Sequence, residues 1–565
     1  MSTDRVSGSL ITRKYQNFRG VDFSNRHDEV SLYRSPNALN MWKNYRNSKG
    51  KCVESRPDVE LVATFGDTIW GLFFYDHNGQ THRIVHAGTK LYDNDKVIYS
   101  SMAKHKSQAF VYDKLFYIKD GNGYYVYDGT TFKEVEGYIP TTTISRSPSG
   151  GGTVYQDVNL LTGVRKNSFV ADGAERTYKC DTETFDSGYK VRVWVNGKEL
   201  TEGFTAYTST ATVIFDTAPA EPDTVGQDNV VIQFKKTIEG YRDKIDKCTL
   251  LEVFDNRVFF AGNPDYPNML WHCSLEDPTY CSDLDYYTTK NDDSEIKALI
   301  SGNNSLWCIT SNSVQYSVPT IDDELGKVYP TTHSSINFGC VSTGINFLDD
   351  ITFFSTRGLE GITSDITTEQ FASHRSTLVD SRLLNESEYK NLILEEYMGY
   401  LLVATGNNMY LADSRSKTTI NDHWEYEWWF WTFDKPITGL KVHNETLYLV
   451  MDKEIYSLTN DREDRQVEAY FCTIDDEFSY PQYQKTSNKK GAVIDIEGNN
   501  IGVYAKVGNG SYELINKYKE TKGYIVPRIK KKKWKSISLK FYSAQPFQLY
   551  SATLEAYIGS YVKRG

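Results

Sequence analysis

Along most of the chain, apolar and polar residues alternate in short runs rich in Val, Ile, Tyr, Phe and Thr, interrupted by Gly, Asn and Asp. A period of two with turn residues between the runs predicts strands joined as hairpins. Only residues 377–395, TLVDSRLLNESEYKNLILE, carry helical spacing. One unit recurs: a polar turn, an apolar strand, a second turn, then an apolar or aromatic strand. It reads HRIVHAGTKLYD (82–93), DKLFYIKDGNGYYVYDG (113–129), DNRVFFAGNPDYPNMLWHCS (255–274) and NNSLWCITSNSVQYSV (303–318). Three further copies are DDITFFSTRGLEGIT (349–363), MGYLLVATGNNMYLAD (398–413) and NETLYLVMDKEIYSL (444–458).

With Phe259, Trp307, Phe353, Leu402 and Tyr448 taken as equivalent, the copies repeat every 48, 46, 49 and 46 residues. That period suits one four-stranded propeller blade of about 40–50 residues. From Phe116 to Phe259 the step is 143, and removing the 97 residues 141–237 restores 46. A domain is therefore expected between the second and third copies. The step from Val85 to Phe116 is only 31, so the first blade is expected to be irregular or completed by another segment.

The insert opens with the linker-like SRSPSGGG (145–152) and continues with strand patterns at 189–200, 211–219 and 229–236. Asn196-Gly197 is a hairpin signal, and the whole reads as a small antiparallel β-sandwich. After the last copy, residues 478–565 alternate as sandwich strands do. The prediction is an all-β chain, a β-propeller of about seven blades with an inserted β-sandwich domain and a C-terminal β-sandwich-like domain. Its parts are an extended arm (1–60), blades (61–140), the insert (141–237), further blades (238–477) and the closing sandwich (478–565).

Composition narrows the function. The mean hydropathy of −0.52 and the want of any run of about 18 apolar residues point away from a membrane span. The start MSTDRVSGSLITRK has no apolar signal-peptide core. Eight Cys without a C-x-x-C pair suggest reduced structural thiols made in a cytosol. A net charge of −11 disfavours a large nucleic-acid face.

Candidate chemistry is sparse. No H-E-x-x-H, G-x-S-x-G or P-loop motif occurs, nor the Ser-x-Asp boxes of propeller sialidases, and the chain is read as not an enzyme and without cofactor or metal. His82 and His86 share one strand face but lack a third ligand. The acidic stretch 282–295 lacks EF-hand spacing and reads as a solvated loop. The run IKKKKWKS (529–536) places Lys530, Lys531, Lys532 and Lys533 beside Trp534, which suits phosphate contact with stacking, or contact with a protein partner.

The run HWEYEWWFWTF (423–433) holds seven aromatic residues in eleven positions. As a strand, its end is apolar on both faces, and the large rings would fill the wedge between blades. Its Glu-bearing start reads as one wet face that invites a partner.

The arm carries a resemblance. Gly20-Val21-Asp22-Phe23, Arg34-Ser35-Pro36, Asn40-Met41-Trp42 and Gly50 with Arg56-Pro57 follow the opening of many phage and prophage virion proteins. NLLTGVRKNSFVADG (159–173) with VRVWVNG (191–197) looks like an insertion module of phage tail proteins, and 530–564 is similar to their closing sandwich. Together these resemble the nozzle, or tail tubular protein B-like, propeller components of short-tailed phages. Asp58 stands where family proteins often have Gly after Arg-Pro.

The resemblance implies a structural protein of the virion tail, made in the host bacterial cytoplasm. It implies a homo-oligomeric ring, usually six-fold, at the head–tail connection below the portal and adaptor. Such a ring continues the DNA ejection channel and carries fibres or other tail proteins. Phe18, Arg19, Asp22, Phe23, Arg34, Trp42 and Arg56 are then candidate subunit or partner contacts, since an extended arm orders by packing on something. The alternative is a carbohydrate- or receptor-binding propeller of the adsorption apparatus, using aromatics such as Trp428 and Trp429.

Overall fold

The computed structural model describes residues 8–47, 50, 52–323, 326–364, 370–420, 422–460 and 466–561. Two compact units divide the chain: Met1–Leu72 with Cys340–Gly565, and Phe73–Gly339. The fold is an all-β propeller of about seven blades with two further β domains.

Every residue aligned by the repeat lies on the second of four antiparallel blade strands, which for Leu402 form part of a larger fifteen-stranded sheet. Four such blades belong to the unit built on Phe73–Gly339. Their second strands are Gln80–Ala87, Leu115–Lys119, Arg257–Ala261 and Ser305–Thr310. Three belong to the other unit, with second strands Asp350–Ser355, Tyr400–Thr405 and Thr446–Met451. These strands are buried along most of their length, as a strand covered on both faces must be.

The short first step has a simple cause. The first blade holds four strands of its own within Ile69–Tyr99. It is the last blade that borrows a strand: Asp58–Thr64 pairs antiparallel with Glu454–Thr459 as its outer member. The insert forms a six-stranded and a three-stranded sheet between Thr141 and Lys235, around Phe169, Tyr178, Phe215, Ile232 and Phe234.

The helix expected over 377–395 shrinks to one turn, Asp380–Leu383, and a 3-10 turn, Tyr389–Asn391. Its N-terminal backbone is taken elsewhere. Thr377 donates its N–H to Glu425 at 2.9 Å, and the Leu378 carbonyl accepts from Phe23 N at 2.7 Å. So short a helix gains little on its own against such contacts.

The cysteines also differ from expectation. Cys273 and Cys281 are joined as a disulfide, and the other six cysteines are buried. Seven residues lie between the pair, a spacing that matches no recognised motif.

Candidate functional site

The aromatic run forms the strand His423–Thr432, the fourth of the sixth blade. Tyr426, Trp428, Trp429, Phe430, Trp431 and Phe433 are all buried. Trp428 and Trp429 are fully enclosed, which removes them as glycan platforms.

Its Glu-bearing start is not wet. Glu425 and Glu427 are buried, and each has a partner. Glu425 accepts the N–H and hydroxyl of Thr377 at 2.9 and 2.7 Å. Burial raises its pKa, and those hydrogen bonds oppose the rise. Glu427 accepts a bidentate pair from Arg34, Nε and Nη2 each at 2.7 Å, with Arg19 at 3.7 Å. Alternation alone cannot separate a carboxylate facing water from one facing a buried guanidinium.

Arg34 belongs to the arm, which lines the edge of this strand opposite its blade neighbour Asn408–Ile420. Val21 pairs with Trp428 and Met41 with Phe430. The Phe23 ring meets Phe430 edge-on at 5.5 Å, and Trp42 meets Trp431 at 5.4 Å. Arg56 donates to Asn40 Oδ1 at 3.0 Å, to the Pro57 carbonyl at 2.7 Å and to the Thr432 carbonyl at 3.0 Å, and lies 4.3 Å above the Phe433 ring.

Gly20 makes this approach possible. Its φ is +130°, and a Cβ there would lie 2.1 Å from the Trp428 carbonyl oxygen. Only glycine tolerates both the conformation and the contact.

Of the seven arm residues expected to meet a partner, five touch the aromatic strand: Arg19, Phe23, Arg34, Trp42 and Arg56. The other two also face their own chain. Phe18 packs on Phe471 at 4.7 Å, and Asp22 caps its own turn by accepting from the Ser24 and Asn25 N–H groups at 3.3 and 3.1 Å. Phe18, Asp22, Trp42 and Arg56 are all buried within the single chain. The arm therefore orders on its own chain, because the aromatic strand offers it a free edge and a buried carboxylate.

The same arm extends the sheet beyond the blade. Met41–Trp42 pairs with Val53–Ser55, which pairs with Phe547–Tyr561 of the closing sandwich. Leu10–Tyr15 adds to that same strand from Tyr557 to Ala552. The strap thus joins a propeller blade to the sandwich through one continuous hydrogen-bonded sheet.

The basic run behaves otherwise than its sequence suggests. Trp534 is buried against Phe478 at 5.5 Å and donates its indole N–H to Ser487 at 3.2 Å, so it cannot stack on a base. Lys530, Lys532 and Lys533 are exposed, whereas Lys531 pairs with Glu513.

The remaining candidates have structural duties. His82 pairs with Asp93 at 2.7 Å, and the buried His86 lies near Ser107 and the Gly88 carbonyl. In the acidic stretch Asp292 accepts from Ser294, Thr310 and Ser313. Burial would raise its pKa, but these bonds bring it down to about 2.

A cluster missed in the sequence lies beside the strap. His374 bridges Glu360 at 3.1 Å and Asp380 at 2.6 Å, with Ser376 donating to the other Asp380 oxygen at 2.6 Å. Burial opposes the imidazolium charge, but the two carboxylates outweigh it and hold the pKa up to about 10. At neutral pH this histidine is a cation, not a base. No metal-ligating group of three or more His, Cys, Asp or Glu occurs among the described residues.

No family model and no curated protein matches the chain. Several solved structures resemble it in part. PorZ, a bacterial surface component of the type-IX secretion system of Porphyromonas gingivalis, is 11% identical at a TM-score of 0.33. That match covers 74% of this chain, which spans only 42% of the PorZ chain. BamB from Moraxella catarrhalis is 10% identical at 0.31, covering 72% of this chain and 99% of its own. A glycoside hydrolase is 7% identical at 0.22, covering 86% and 97%. These are likenesses of fold alone.

Proposed function

We propose that the chain is a structural protein of a phage tail, assembling as a ring below the portal and adaptor. There it continues the DNA channel and carries fibres or other tail proteins. The observation that carries this reading is the strap: the arm residues behind the virion-protein resemblance converge on one strand and tie a blade to the closing sandwich. A motif spent on fixing one domain to another suits a part that transmits load. Propeller blades, with most strand edges paired, suit it too.

In this reading the chain is a scaffold and not an enzyme. The one histidine set between two carboxylates is held protonated at neutral pH, unsuited to act as a base. The net charge of −11 lets DNA pass without strong retention. Synthesis in the bacterial cytoplasm and residence in the virion tail follow from the same reading.

Electron microscopy of the purified chain tests it. Closed rings of copies are expected, and a monodisperse monomer at every concentration tried would overturn the proposal.

A further inference from the structure

Charge is divided unevenly along the chain. Residues 513–535 hold nine Lys or Arg against two Glu, a net of +7, while the whole chain carries −11. The other residues therefore carry −18. The basic segment is the strand Glu513–Ile525 and the loop that follows it. This strand pairs along one edge with Val493–Val507 and has no second strand partner among the described residues.

Three of its cations are paired, Lys522 with Glu520, Lys531 with Glu513 and Lys535 with Glu477. Lys517, Lys519, Arg528, Lys530, Lys532 and Lys533 are exposed with no acidic partner among the described residues. Apolar surface lies among them: Tyr524 is 75% exposed, and Leu514 and Val526 are about half exposed.

A long edge strand with exposed apolar side chains is a template for pairing unless charge repels a copy. Here the charge repels an identical strand but attracts an acidic one. Such a strand exists on the same chain. Asp58–Thr64 is the outer member of the last blade and carries Glu60, Leu61 and Val62 exposed in succession. It pairs with Glu454–Thr459 on one side and with no other strand among the described residues.

We infer that the basic strand of one copy docks on the acidic outer blade strand of a second copy. The contact joins two different surfaces, so unless two copies make it reciprocally its repetition gives a ring or an open filament. The inference rests on the ring reading above and names the surfaces that would make it. A nucleic-acid occupant fits less well, because the only aromatic ring within the lysine run is buried.

The test compares the wild-type chain with K517E/K519E, with E60K and with the triple variant, by sedimentation velocity at low and moderate salt. Equal unfolding midpoints first establish that each variant is folded. Each charge reversal is expected to weaken assembly at least tenfold, the triple variant to recover part of it, and salt to weaken the wild type.

If the wild type assembles and the reversals leave its affinity unchanged, the surfaces are wrong and the ring reading stands. If the wild type never assembles, both fall. If the lysine reversal spares assembly but abolishes retention of a 30-base-pair DNA duplex, the ribbon is a polyanion site and the inference is overturned.

Discussion

Removing the Arg34 side chain tests how the strap is held. Glu427 is fully buried, and its two short bonds come from one guanidinium that is itself only 11% exposed. Arg34→Ala leaves that carboxylate with Arg19 as its cation, at 3.7 Å and with 46% of its side chain exposed. Unit charges about 3 Å apart interact by roughly 5 kcal/mol at an effective dielectric near 20. Breaking one side of a buried pair costs about 3–5 kcal/mol, because the remaining charge has nowhere to go.

Arg46→Ala is the internal control. Arg46 makes a bidentate pair with Glu445, but the partners are 56% and 74% exposed, so its loss should cost under about 1 kcal/mol. Urea unfolding followed by tryptophan emission reads the difference, since Trp428, Trp429, Trp431 and Trp42 surround the strap. A double variant, Arg34→Met with Glu427→Leu, should recover most of the loss. If Arg34→Ala costs no more than Arg46→Ala, the buried pair does not hold the arm.

Further outcomes follow from the same contacts. Gly20→Ala should destabilise by at least about 2 kcal/mol, seen as a lower unfolding midpoint, because the new Cβ meets the Trp428 carbonyl and the backbone is strained. Trp534→Ala should cost about 3–5 kcal/mol, whereas replacing Lys530, Lys532 and Lys533 together by Ala should change the midpoint by under about 0.5 kcal/mol. His374 binds its proton more tightly folded, at about 10 against about 6.5 unfolded. Its stabilisation is full below about pH 6.5 and is lost as pH rises to about 10, with a slope of up to about 1.4 kcal/mol per pH unit. His374→Gln should lack that dependence, so the stability difference between the two proteins should shrink as pH rises through this window, and a difference that does not change with pH would contradict the charged bridge.

What was legible in the sequence was local. Hairpins such as SLWCIT with SVQYSV announce themselves because both strands are apolar and their turn residues lie between them. Pairing across long separations leaves no such mark. Asp58–Thr64 looks like any short strand, and nothing in it says that its partner is Glu454–Thr459. The arm's residues read from the sequence as contacts for a partner, and in the structure they pack on their own chain. Arg34 and Glu427 lie 393 positions apart, and each alone resembles a surface charge. The buried Trp534 was hidden in the same way, by four lysines that make its surroundings look solvated.

The central claim is that the arm folds on its own chain and leaves assembly to other surfaces. Hydrogen exchange on the K517E/K519E variant, held monomeric by dilution, tests it most directly. The account predicts that the Asp22, Asn40 and Arg56 amides, which donate to the Ser35, Phe430 and Asn40 carbonyls, are protected as strongly as those of His423–Thr432. Free exchange of the arm in the monomer, with protection only after assembly, would contradict it.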